Sequence, residues 1–432
     1  MKKLSLLLLT FVVTCFSGVA EVPADNVEES DSTYYYLSEG EAYFDEIGQP
    51  YPLVNIYEDV EDEAYDSIIA NVEKVLAVVP DDTLAKYYRG LALFLQKKYR
   101  EAIPDLMLAW ETDTEDVSFS TPYEILNSIG KHEPDLLINL LERKGKELDQ
   151  SPQNAEKLYG IYMLLGSISI NTGHSRLAAE TYYPKAATFA PDSSHLWSAY
   201  LSSSTGWLRS GHPDKVLEIL ESPVLDSLPL INKYPNKMLA LRNLGRIDEA
   251  LRLLDGLLEL YPDYEEILMN KGTLLSAVKR YDEAIMCFDK VIDSLNIPET
   301  FFIPHRHTLL AEAYLRRGIA HEFKGEMSKA EENFNSVLHL EAQGHYISAL
   351  AHLKRKDDLE NMINLYGLEL DALPLTVIYT QLDDYDKAFT YLKEAFRLQD
   401  VSPQALKYDP NLLPLLNDTR YNEAVKSFDP SK

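Results

Sequence analysis

The stretch Leu244-Gly245-Arg246-Ile247-Asp248-Glu249-Ala250 is answered by Val278-Lys279-Arg280-Tyr281-Asp282-Glu283-Ala284, which places Ala250 and Ala284 34 residues apart. Each string reads as a turn running into an acidic helical start, and the apolar residues around it recur at three and four, as on a helix with one buried face. A self-similar step of this length marks stacked helix pairs, each unable to bury its apolar face without a neighbour. Outward from this pair, Ala179, Val216, Ala250 and Ala284 fall 37, 34 and 34 residues apart. Gly272, Leu275, Phe288 and Val291 complete the cleanest unit.

The same register begins earlier, with Tyr87, Gly90, Ala102 and Leu106. Pro122 to Pro152 is helical in pattern but poor in register, a degenerate unit. Ala330 follows Ala284 by 46 residues, one period plus 12, and the excess is an insertion at 296–308 containing Phe301-Phe302 between two prolines. Insertions in stacked repeats become loops on one face, and the expected role of this one is a linker whose aromatics cap a neighbouring helix. Gly318, Ala330 and Phe334 restore the pattern, His345 to Gly367 weakens it, and Tyr385, Ala388, Leu392 and Ala395 form a clear last second helix. Residues 400–432 break register at Pro403, Pro410 and Pro414 and are expected to cap the stack.

These residues resemble the tetratricopeptide repeat family. Counted from Glu265, that family's small eighth, aromatic seventeenth, alanine twentieth and large twenty-fourth positions are Gly272, Tyr281, Ala284 and Phe288. The resemblance implies an all-α fold, a right-handed superhelical solenoid of antiparallel helix pairs over 65–399, with about eight to ten units, some degenerate. In the family the second, fifth, ninth and twelfth residues of each unit line the concave wall. The resemblance therefore implies peptide-binding positions at Tyr87, Leu91 and Phe94 early, Met269 and Thr273 centrally, and Leu315, Ile319 and Glu322 later. A carboxylate clamp known in the family is not expected here: Asn270 and Arg316 stand at two of its places, but Pro235, Leu239 and Glu312 occupy others.

Lys2 and Lys3, an apolar run from Leu4 to Cys15, and Gly18-Val19-Ala20 before Glu21 read as a signal peptide over 1–20. The expectation is export, to the periplasm first; secretion, or a lipid anchor at Cys15, is the alternative. Cleavage leaves Cys287 as the lone thiol, expected in the core, so that packing and no internal disulfide must stabilise the chain. No later stretch reaches the length of a membrane span. Residues 21–64 are a Tyr-rich acidic leader, expected to be partly disordered, with a place along the groove as the alternative. Glu21 to Glu73 holds sixteen acidic residues and no Lys or Arg. With a net charge of −28 overall, nucleic acid and anionic membrane surfaces are disfavoured and basic or neutral partners are favoured.

No phosphate loop, nucleophile elbow or Cys-x-x-Cys occurs. His305 and His307 lack a third ligand nearby, and Glu111 to Asp116 lacks the glycine of a calcium loop. The sequence thus speaks for no enzyme, metal or cofactor. It speaks for a scaffold that binds protein or peptide segments on its concave face and helps assemble or regulate a cell-envelope complex. A second reading is a glycan or small-ligand binder, or an accessory subunit of an exported enzyme, using the leader and the Trp197 to Trp207 region.

Overall fold

The computed structural model describes residues 65–112, 120–296, 306–340, 343–366 and 370–431. The expected signal with Cys15, the acidic leader, residues 297–305 of the insertion with His305, and the acidic turn after Thr112 lie outside the described residues. Every regular element among the described residues is helical. They divide into two compact units, one running to Thr172 with Thr188–Pro191, the other made of Gly173–Ala187 and Asp192–Lys432.

Unit 1 contains α1 (Tyr65–Val78), α2 (Thr83–Leu95), α3 (Tyr99–Glu111), α4 (Ser120–His132), α5 (Pro134–Glu147) and α6 (Ala155–Asn171). Asp82 starts α2 by accepting a bond from the Ala85 amide at 2.7 Å, which satisfies one of the donors a helix N-terminus leaves open. The stretch with poor register still pairs as α4 and α5, and Leu137 and Leu141 are its fully buried side chains on α5.

Unit 2 opens with α7 (Ser175–Leu177), which passes through a π turn at Ala178–Tyr182 into α8 (Tyr183–Thr188). The pairs continue with α9 (Ser193–Arg209) and α10 (Pro213–Leu220), α11 (Leu230–Asn243) and α12 (Ile247–Leu260), and α13 (Glu265–Ala277) and α14 (Tyr281–Leu295). They end with α15 (Arg306–Lys324) and α16 (Met327–His339), α17 (Gln343–His352) and α18 (Lys356–Tyr366), and α19 (Ala372–Gln381) and α20 (Tyr385–Arg397). Short pieces follow: α21 (Pro403–Leu406), a 3-10 turn at Pro410–Leu412, α22 (Leu413–Leu416) and α23 (Tyr421–Val425).

The register rests on one repeated contact. A Cβ added to Gly272 would lie 2.6 Å from Cε1 of Phe288, one added to Gly318 would lie 2.6 Å from Cε1 of Phe334, and one added to Gly90 would lie 2.9 Å from Cγ of Leu106. In these three pairs the first helix gives up a side chain so that the second can press a large one against its backbone. The matching small residues Ala102, Val216, Ala250, Ala284 and Ala388 are fully buried. Between helices, the chain turns on a left-handed residue: Gly211, Gly245 and Lys279 have φ of 81°, 74° and 65°. There the Arg246 amide reaches Leu241 O at 2.8 Å and the Arg280 amide reaches Leu275 O at 2.9 Å, the bond that closes a helix C-terminus around such a residue.

One apolar cluster runs from Tyr234 to Ala320 through α11 to α15 and includes Cys287, whose thiol pKa is pushed up by burial. Separate clusters follow along the unit, and the last joins Phe389, Leu392 and Phe396 of α20 to Leu406, Leu412, Leu415 and Ala424.

Two substitutions test the small-against-large contact. Gly272→Ala should destabilise by about 1–3 kcal/mol through overpacking, despite a helix-propensity gain of about 1 kcal/mol. Gly256→Ala, whose Cβ would meet nothing within 4 Å, should stabilise by about 0.5–1 kcal/mol. Urea unfolding of both variants checks the pair; equal and favourable shifts would show that the glycine at 272 is not needed for packing.

A second expectation concerns acid. At the α15–α16 turn the Glu326 carboxylate meets Lys324 Nζ at 2.6 Å, Lys329 Nζ at 3.1 Å and His321 Nδ1 at 2.8 Å. These bonds, Lys324 first, hold its pKa down to about 2. Because the folded value lies below the ordinary value of about 4.3, its contribution is complete above that value and is lost as pH falls through about 2. Melting temperature should drop across this window, and Glu326→Gln should flatten the drop; an unchanged slope in the variant would remove Glu326 from the account.

Candidate partner-binding surface

In unit 1 the expected wall lies on α2. Tyr87 is half-buried with its ring 5.4 Å from that of Tyr88, and Phe94 is half-buried 5.9 Å from Tyr99. Leu91 is 9% exposed. The wall is held in place from α3: the Arg89 guanidinium grips Asp105 through two bonds, at 2.6 and 2.8 Å.

In unit 2 the expected positions are largely spent on the chain itself. Met269 is buried in the central cluster, and Leu315 and Ile319 are buried in the next one. Thr273 is half-buried; its hydroxyl donates to Met269 O at 2.8 Å and accepts from Arg316 Nη1. Glu322 holds Nδ1 of His352 at 2.7 Å, and that imidazole stacks on Phe334. Asn270 donates to the Tyr234 hydroxyl at 3.2 Å, while Arg316 bonds Glu312 at 2.5 Å. The Arg316 charge, ahead of burial, holds the Glu312 carboxyl below its usual range.

The sequence reading missed the arginines. Arg209 ends α9, and Arg242 sits in the last turn of α11. Counted from Ile231, Arg242 is a twelfth position, so the same rule that chose Glu322 pointed to it. What these arginines meet had no local signal. Arg209 Nη2 bonds Asp400 at 2.7 Å and its Nε bonds Gln399 O at 2.9 Å, both some 190 residues on. Burial pushes the Arg209 pKa down, while Asp400, Tyr183 and Asp371 oppose that shift.

Gln399 itself is fully buried with φ of 57°. Its Oε1 accepts from the Ser175 amide at 3.0 Å, and its Nε2 donates to Asp429 O at 2.7 Å. Beside it, a Cβ on Gly173 would stand 2.5 Å from Arg397 O. The end of α20 therefore lies against the first residues of the unit. Further along, Asp409 accepts from the Asn411 amide at 3.0 Å. Burial raises the Asp409 pKa, against that bond and the charges of Arg242 and Arg316. Burial also lowers the Arg242 pKa, against Asp409 and Tyr408.

Among the described residues no group of His, Cys, Asp and Glu is placed to hold a metal, and no helix is long and apolar enough to cross a membrane. Trp197 and Trp207 are half-buried in the cluster around Val216, where Arg176 lies 6.0 Å over the Trp207 ring.

Paired helices joined by left-handed turns and seated on a glycine or alanine define an all-α helical repeat array. Models of the tetratricopeptide repeat match residues 64–116 and 237–294, and another model of that repeat matches 377–401: these segments are tetratricopeptide repeats. No curated protein sequence matches it. Among solved structures, it is similar to a tetratricopeptide repeat protein from Parabacteroides merdae, with 16% identity over 67% of this chain and 92% of that one and a TM-score of 0.34. It is also similar to yeast Tom70, with 16% identity over 86% and 90% and a TM-score of 0.29. Likenesses this distant say nothing of partner or process.

Arg209→Met should cost about 3 kcal/mol, because it removes the cation bonded to the largely buried Asp400. Pairing it with Asp400→Leu should restore part of the loss. Additive losses in the double-mutant cycle would mean that the two groups do not interact.

Proposed function

We propose that this chain is a non-catalytic scaffold that holds protein or peptide segments against the first helices of its repeats. We further propose that it is exported and helps assemble or regulate a cell-envelope complex. The repeat itself carries the reading: each hairpin presents a first helix to one side, and stacking sets these helices in a row that a polypeptide segment can follow. Tyr87 and Phe94 of α2 supply half-buried aromatic anchors, the side-chain type that dominates binding energy at interfaces. The compartment rests on the charged start and short apolar run of residues 1–20.

Crosslinking in intact source cells, followed by affinity recovery of the full chain, tests the proposal. A defined set of envelope proteins is expected, and Tyr87→Ala with Phe94→Ala should reduce their recovery by about tenfold. Recovery of no protein, together with thermal stabilisation by sugars and by no peptide, would turn the reading towards a glycan binder.

A further inference from the structure

The turn from α12 into α13 carries side chains that the stack does not use. Leu260 is 71% exposed and Tyr261 43%; they follow each other at the end of α12, outside the cluster that buries Leu254 and Leu257. Tyr261 meets Tyr264 edge-on with ring centroids 6.3 Å apart, and Tyr264 packs against that cluster, so the exposed pair stands on a fixed base. At the preceding turn Leu230, one 34-residue period before Tyr264, is 42% exposed, and stacking sets it on the same edge. Single exposed apolar residues need no explanation, but neighbouring ones mark contact surfaces.

The charge around them has one sign. From Leu253 to Asn270 there are five acidic residues and no Lys or Arg. Asp255 is bonded to Lys271 at 2.6 Å, and Glu265 and Glu266 open α13, where carboxylates answer the partial positive charge of a helix start. Glu259 and Asp263 have no such use. Both are exposed, and α12 has no basic residue in its last turn to match the partial negative charge of its carbonyl end. Asp293, also exposed, adjoins Ser294, whose hydroxyl donates to Glu265 at 3.5 Å. Among the described residues Glu259, Asp263 and Asp293 make no ion pair. Burial, then Glu266 and Glu265, hold the Tyr264 hydroxyl above the ordinary tyrosine value.

We propose that the α12–α13 turn is an interaction surface for a short protein segment that carries Lys or Arg beside apolar side chains. This rests on the scaffold reading above and names the chemistry of its partner. The cation is received by Glu259 and Asp263, its aliphatic stem lies along Leu260, and Tyr261 offers an aromatic ring to the charge. The apolar residues of the segment cover what remains of Leu260. An apolar partner without cations would bury the carboxylates with no counter-charge, and an acidic one would meet like charge, so the carboxylates select the sign while Leu260 and Tyr261 supply the contact area.

The probe is a short fluorescent peptide of lysines and leucines, beside one with serine for every leucine and one with glutamate for every lysine. On the full chain, Glu259→Gln, Leu260→Ser and Asp263→Asn together should weaken binding of the lysine–leucine peptide by about tenfold. Removing the same charge from α18, by Asp357→Asn with Glu360→Gln, should leave it unchanged. All the substituted side chains are exposed, so both variants keep the folded core. The lysine–serine peptide should bind the unaltered chain about tenfold more weakly, and the glutamate peptide should not bind. Equal weakening by the α18 variant would assign the binding to net charge and overturn the proposal, as would equal binding of the leucine and serine peptides. In intact source cells, a photocrosslinking residue in place of Tyr261 should capture partner segments rich in Lys or Arg. Acidic captured segments, or partners that the full chain recovers but position 261 never captures, would overturn this inference while sparing the scaffold reading. Specific peptide binding at the turn with no protein recovered from cells would count against the scaffold reading and leave the chemistry of this surface standing.

Discussion

A helix pair can close only as far as its bulkiest facing side chains allow, and in three pairs here the limit is removed on one side. Gly90, Gly272 and Gly318 each present bare backbone to a large residue sixteen positions on, Leu106, Phe288 and Phe334. The ring then fills space that a methyl group would occupy, and the two axes approach closely enough for the buried alanines one turn away to meet their neighbours. Each pair so formed still shows an apolar edge, which the next pair covers; the cluster from Tyr234 to Ala320 is the result. The turns serve the same geometry, since Gly245 and Lys279 reverse the chain in a left-handed conformation within a three-residue connection.

That constraint explains why the repeat was legible from residues alone. A glycine or alanine at one place and an aromatic or leucine at another are local facts, and Ala250 with Ala284 gave the step directly. The binding wall was less legible. The fifth and ninth positions of a unit sit where one pair leans on the next, and how far a side chain is covered depends on the neighbour. Met269, Leu315 and Ile319 are accordingly buried, while Tyr87 and Phe94 keep part of their surface. Nothing near Gln399 in sequence suggests that it bonds Ser175, 224 residues away. Register breaks at Pro403, and without register there is no rule for where the chain goes next.

Electrostatics carries a similar lesson. The composition is strongly acidic, yet α9, α11 and α15 each carry a half-buried arginine, Arg209, Arg242 and Arg316. Burial works against both members of these contacts, lowering the pKa of Arg209 and Arg242 and raising that of Asp409. Charges in such places are costly to isolate and modest in net gain when paired. They fix which segment lies where more than they add to stability.

The bonds between Ser175, Arg209 and Gln399 also bear on how unit 2 comes apart. In an open string of repeats the two outermost hairpins each lack a neighbour, and melting starts from those free ends. Tying the last helix back to the first hairpin leaves no such end. Fraying of unit 2 is then suppressed, its terminal hairpins inherit the protection of the interior ones, and a unit assembled from small, separately clustered blocks gains in cooperativity.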